Sequence, residues 1–92
     1  MATTAATQEK INTVLGILAR NPGKWLSHRQ IWLISRKWAK VYGTPIVPVP
    51  HHCTTALQNR GLCEKTNADT NCALKGDRIA RITERGLRTA AA

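Results

Sequence analysis

Between residues 7 and 20 the apolar positions fall at Ile11, Val14, Leu15 and Leu18. That i, i+3, i+4, i+7 spacing predicts a helix over about 7–20 with one apolar face. Thr7 is placed to cap it, and Asn21-Pro22-Gly23 ends it. Gly16 inside it costs about 1 kcal/mol against Ala. A second stripe, Ile31, Ile34 and Trp38, predicts a helix over about 28–40. Ser27 and Gln30 have the capping-box spacing, and Leu26 is placed for a hydrophobic staple with Ile31. Arg29, Arg36 and Lys37 lie on the other side of this helix. Trp32 and Leu33 fit neither side. A helix buried on two sides, in the middle of a three-helix unit, accounts for them; a partner-binding patch is the alternative.

Residues 41–49 form a proline-broken connection, longer than the 3–4 residues of a tight helix-turn-helix link. Pro50 suits a helix start and Gly61 a left-handed stop, so a third helix is expected over about 50–60. Cys53, Ala56 and Leu57 fall on its apolar back. His51, Thr55 and Gln58 lie opposite, flanked by His52, Thr54 and Asn59. The chain then reads as a hairpin over about 62–82: a strand at Leu62–Lys65, a polar loop at 66–77 and a returning strand at Arg78–Ile82. Thr83 caps a short final turn of helix. Residues 1–6 and 89–92 are expected to be flexible ends of a single domain over 7–88. The pattern therefore predicts a mainly α fold with a small β-hairpin.

Charge changes the picture more than the rest of the composition. Fourteen Lys and Arg face five Asp and Glu, for a net charge of +9. After Glu9 the next acid is Glu64, and Lys10, Arg20, Lys24, Arg29, Arg36, Lys37, Lys40 and Arg60 lie between. A field of one sign points to a polyanion, with anionic membranes and acidic protein surfaces as alternatives. No stretch approaches the length of a membrane span, and the start of the chain lacks a basic segment followed by a long apolar run. A cytoplasmic setting with reduced thiols is expected for Cys53, Cys63 and Cys72.

The chain resembles the winged helix-turn-helix superfamily, in particular small repressors of bacteria, phages and plasmids. Three phrases carry the resemblance. Trp25–Ile31 is similar to the start of that family's second helix. Thr55–Lys65 is similar to the end of its recognition helix running into the first wing strand. Ala80–Gly86 is similar to its last wing strand and closing turn. The resemblance implies a three-helix winged fold whose third helix enters the major groove of duplex DNA, with the wing on backbone or minor groove. It places His51, His52, Thr54, Thr55, Gln58 and Asn59 at bases or adjacent phosphates, and Lys65, Lys75 and Arg78 as wing contacts. The sequence departs from the family in the length of the Tyr42–Val49 connection. The third helix also carries no Lys or Arg on its exposed face before Arg60.

The side chains have chemistry to match. Gln and Asn pair bidentately with adenine, and Thr packs on a thymine methyl or reaches phosphate. His51 and His52 would favour protonation beside phosphate; two ordinary exposed histidines at a helix start fit equally. Ser27 opens a helix whose free N–H groups suit a phosphate, with Lys24, Arg29, Arg36, Lys37 and Lys40 along the same element and Arg60 beyond. The Cys and His spacings lack a zinc knuckle, so neither metal nor other cofactor is expected. No nucleophile elbow, phosphate loop or paired carboxylates suggest catalysis. A regulator binding duplex DNA is the first expectation, nucleoid-associated in that case. A structured-RNA binder and a protein-binding winged helix, such as an assembly subunit or an inhibitor of a host nucleic-acid machine, are the rivals. A homodimer would use Trp32, Leu33 or the first helix.

Overall fold

A computed structural model describes residues 5–67 and 78–91 of the 92-residue chain. Its elements are α1 (Ala5–Ala19), β1 (Leu26–Ser27), α2 (His28–Tyr42), α3 (Pro50–Asn59), β2 (Cys63–Asn67), β3 (Arg78–Ile82) and α4 (Glu84–Ala91). The fold is mainly helical with a small antiparallel sheet. The sheet has three strands, not the two of the expected hairpin. Its order is β1-β3-β2, with Leu26 opposite Ala80 and Ser27 opposite Ile79. A two-residue strand is too short to show a period in the sequence.

The core is built around α1. Ile11, Val14, Leu15 and Leu18 are buried as the spacing predicts, and Ile17 is fully buried as well. Buried Thr13 satisfies its hydroxyl by donating to the Glu9 carbonyl at 2.8 Å. α1 packs against α2, α3, α4 and β3. It therefore takes the central place expected of the second helix, while α2 fully buries only Ile31 and Ser35. Trp32 is half-buried and Leu33 is exposed, so the two-sided burial expected there does not occur. The reason is that the sheet and α4 pack on α1, whereas α2 buries one side, that of Ile31 and Ser35. α1 also begins before Thr7, which lies inside the helix instead of capping it.

The ends of α2 and α3 are set by local chemistry. Ser27 Oγ accepts from Gln30 N–H at 3.1 Å, and Gln30 Oε1 accepts from Ser27 N–H at 2.8 Å, completing the capping box. α2 runs past Lys40 to Tyr42 because Gly43, at φ 71°, supplies the left-handed stop. The long connection that follows is held by Ser35. Its hydroxyl donates to the Trp32 carbonyl at 2.7 Å and accepts from Val47 N–H at 3.0 Å. Leaving that buried N–H unpaired would cost about 1–3 kcal/mol, so this one hydroxyl fixes the path into α3. At the other end of α3, Leu62 N–H reaches the Leu57 carbonyl (2.9 Å) and Gly61 N–H the Gln58 carbonyl (3.0 Å). This is a Schellman stop with Gly61 at φ 74°.

α4 is longer than the expected short turn. It continues to Ala91, so residues 89–91 are helical where flexibility was expected; Ala has the highest helix propensity. Thr83 caps it, accepting from Gly86 N–H at 3.1 Å and donating to the Gly61 carbonyl at 2.8 Å. The same residue's N–H bonds the Leu62 carbonyl at 3.1 Å. The cap thus ties α4 to the segment joining α3 and β2.

Candidate nucleic-acid interface

Three elements bring polar side chains together at the start of α3. His28 is the first residue of α2, and its Nε2 lies 2.8 Å from Thr54 Oγ1. Thr54 donates to the His51 carbonyl at 3.1 Å. A carbonyl can only accept, so the hydroxyl spends its hydrogen there and His28 Nε2–H donates to Thr54. From β2, Lys65 Nζ lies 3.1 Å from His51 Nδ1 and 2.9 Å from Thr55 Oγ1. An ammonium only donates, so His51 Nδ1 accepts and the ring is neutral in this arrangement. The His28 and His51 rings meet edge to face at 5.7 Å, and His52 lies 5.9 Å from His51.

This geometry places several expected contacts on one surface. His51 and Thr55 are half-buried on it, and His52, Gln58 and Asn59 are exposed. Lys65 leans over the face of α3 and supplies the cation that α3 itself lacks. His28, absent from the sequence-derived set, joins the cluster; its only sequence signal is its place in the first turn of a capped helix. Two expected contacts are corrected. Thr54 is fully buried, with its hydroxyl engaged by His28 and His51, and cannot reach a groove. Ser27 is 1% exposed, and its hydroxyl and N–H are both used by the capping box, so it does not present itself to phosphate.

The basic residues divide by position. Lys24 and Arg29 are exposed beside the start of α2. Arg36, Lys37 and Lys40 are also exposed, further along the helix, where a rise of about 1.5 Å per residue puts Lys40 roughly 18 Å from His28. The Arg36 guanidinium lies over the Trp32 ring at 5.2 Å. None of these cations meets a carboxylate among the described residues, where Glu64 is engaged by Arg81 at 2.6 Å. Arg60 leans toward α1, with Nη2 3.4 Å from Gln8 Oε1. Arg78 stands in β3 opposite Asn67. Lys75, like Cys72, lies outside the described residues.

The two described cysteines sit behind the cluster, free and buried. Cys63 Sγ donates to the Thr54 carbonyl at 3.3 Å. Burial pushes the Cys63 thiol up to about 11, against the pull of Lys65 and with a small push from Glu64. Burial also raises Cys53, with Lys10 opposing. These directions carry a pH prediction. Below the ordinary value of 9.0 the Cys63 thiol is protonated in both folded and unfolded chains. Between there and about 11 only the unfolded chain ionises, so stability is lost as pH rises, by roughly 2–3 kcal/mol in all. Urea unfolding across that window measures the loss, and Cys63→Ala is expected to remove the Cys63 share of it and leave the part that Cys53 contributes. An equal decline in the variant would assign the effect elsewhere.

Among the described residues no group of three or more His, Cys, Asp or Glu side chains converges as for a metal ion. No helix there is long and apolar enough to cross a membrane. Comparison with protein-family models, characterised proteins and solved structures gave no match.

Proposed function

We propose that the chain is a winged-helix domain that binds double-stranded DNA as a small regulator. The order α1-β1-α2-α3-β2-β3-α4, with sheet order β1-β3-β2, supports the winged arrangement. The observation that carries the reading is Lys65 set over the polar face of α3, on a surface where Lys24 and Arg29 meet no carboxylate among the described residues. On this reading α3 enters the major groove. Gln58 and Asn59 read adenine edges, and Thr55 packs on thymine or phosphate. Lys24, Arg29, Arg36, Lys37 and Lys65 hold the backbone and supply most of the affinity. The domain acts by occupancy, in the cytoplasm and on the nucleoid.

Fluorescence anisotropy with random duplex DNA, duplex RNA and single strands tests this. With four phosphates engaged, duplex affinity is expected to fall about a hundredfold between about 50 and 200 mM salt. Absence of binding at the low end would sink the reading. Equal affinity for duplex RNA would turn it toward structured RNA.

A protein partner is the second reading, favoured by apolar exposure. Leu33 is 47% exposed, Val41 66%, Tyr42 58% and Ile46 47%. Leu33 shares a helix face with Lys37 and Lys40, so an apolar segment edged with carboxylates is the chemistry that fits. Under this reading Leu33→Lys abolishes partner binding and leaves any duplex affinity unchanged or higher.

A further inference from the structure

A cavity of about 370 Å³ lies between α1, the connection into α3 and the first turn of α3. Its size falls within the roughly 300–1,000 Å³ of small-molecule sites. Val47, Pro48, Val49 and Cys53 give it apolar walls, while Thr7, Lys10 and His52 supply its polar groups. Among the described residues no carboxylate lines it. The lining therefore combines a cation and an imidazole with apolar walls.

Lys10 lines this space from α1, across from the 47–49 segment. Lys10 meets no carboxylate among the described residues. The walls are also held in place before any ligand arrives. Val47 is pinned through its N–H to Ser35 Oγ, and Pro48 and Pro50 restrict the backbone on either side of Val49. A preformed wall lowers the ordering cost of binding. A phosphate-rich polymer would leave the apolar walls unused, and a neutral apolar molecule would leave Lys10 without a partner. We propose that this cavity binds a small organic carboxylate with a compact apolar body, its head group between Lys10 and His52 and its body against Val47, Pro48 and Val49.

Such a ligand would bridge α1 and the start of α3. Any effect on duplex binding rests on the DNA-binding reading above; occupancy of the cavity does not. The test accordingly uses no nucleic acid. Benzoate is titrated to about 10 mM into the full chain and followed by amide NMR, with benzamide as the neutral isostere. Saturable shifts are expected at Lys10, Val47, Val49, His52 and Cys53, with benzamide at least about tenfold weaker. Lys10→Gln is expected to weaken benzoate about tenfold, and Val49→Glu, which sets a like charge on the exposed rim, at least as much. Lys37→Gln, on the outer face of α2, leaves affinity unchanged. The same spectra show whether each variant is folded. No saturable shift, equal binding of benzamide, or equal losses in the Lys10 and Lys37 variants would overturn the proposal.

Discussion

Replacing Gly86 with Ala is expected to destabilise the fold by about 3 kcal/mol and to lower its melting temperature by roughly 12–24 °C. Helix propensity alone predicts the opposite, because Ala gains about 1 kcal/mol over Gly inside a helix. Packing decides the sign. Gly86 is buried in the first turns of α4, and a Cβ there would run into the Leu62 carbonyl and stand 2.7 Å from Ile82 Cγ1. The Leu62 carbonyl cannot retreat freely, because it accepts from Thr83 N–H, and neighbouring Gly61 accepts from Thr83 Oγ1. Displacing it disturbs the cap of α4 and the stop of α3 together. Gly16 provides the control. A Cβ at that position meets the Trp38 ring at 3.3 Å, and the half-buried ring can shift. Gly16→Ala is expected to change stability by no more than about 1 kcal/mol. Thermal unfolding followed by circular dichroism separates the two, and an unchanged or raised midpoint for Gly86→Ala would show that α4 does not dock as described.

The second large effect concerns affinity. A chain with Arg29, Arg36 and Lys37 all changed to Gln is expected to bind random duplex DNA about a hundredfold more weakly at roughly 0.1 M salt. Each phosphate contact contributes about 0.9 to the log–log salt slope, so the slope should shrink by roughly 2–3 as well. Stability should barely move, because the three side chains are exposed and meet no carboxylate among the described residues. Changing Gln58 and Asn59 to Ala is the complementary measurement. Those neutral side chains would alter discrimination between sequences while leaving random-duplex affinity and the salt slope nearly intact. Unchanged affinity in the triple variant would exclude Arg29, Arg36 and Lys37 from polyanion contact.

Local signals were legible where the chain states them locally. The Ser27–Gln30 box, Pro50 at the start of α3, Gly61 at its end and Thr83 before α4 each occupy the place their chemistry suggests. Long-range placement was not legible. α1 is central because β3 and α4 close over it, and no periodicity in residues 7–20 announces that. Thr54 sits on the flank of the helical wheel, and the side chain that engages its hydroxyl, His28, is 26 residues away. Lys65 reads as a wing residue, yet the register of β2 sets it against His51 and Thr55. Leu33 reads as core because its neighbours are apolar. Its exposure follows from its place across the helix from Ile31 and Ser35, the two buried positions of α2. The cavity could not be foreseen at all, being the space left where the 43–49 connection passes α1.

The pairing of β1 with β3 has a consequence in time. The cap that begins α2 is seated on Ser27, and Ser27 is paired with Ile79. During synthesis, residues 26–27 therefore wait without their strand partner until residue 80 has been made. α1 and α2 can meet earlier through local contacts, but the direction of α2 relative to the sheet is fixed only by this distant closure. Non-local pairing of this kind slows folding relative to a helical bundle of the same length. In the interval the nascent chain exposes Leu26, Ile31 and the apolar face of α1, the surfaces a chaperone would hold.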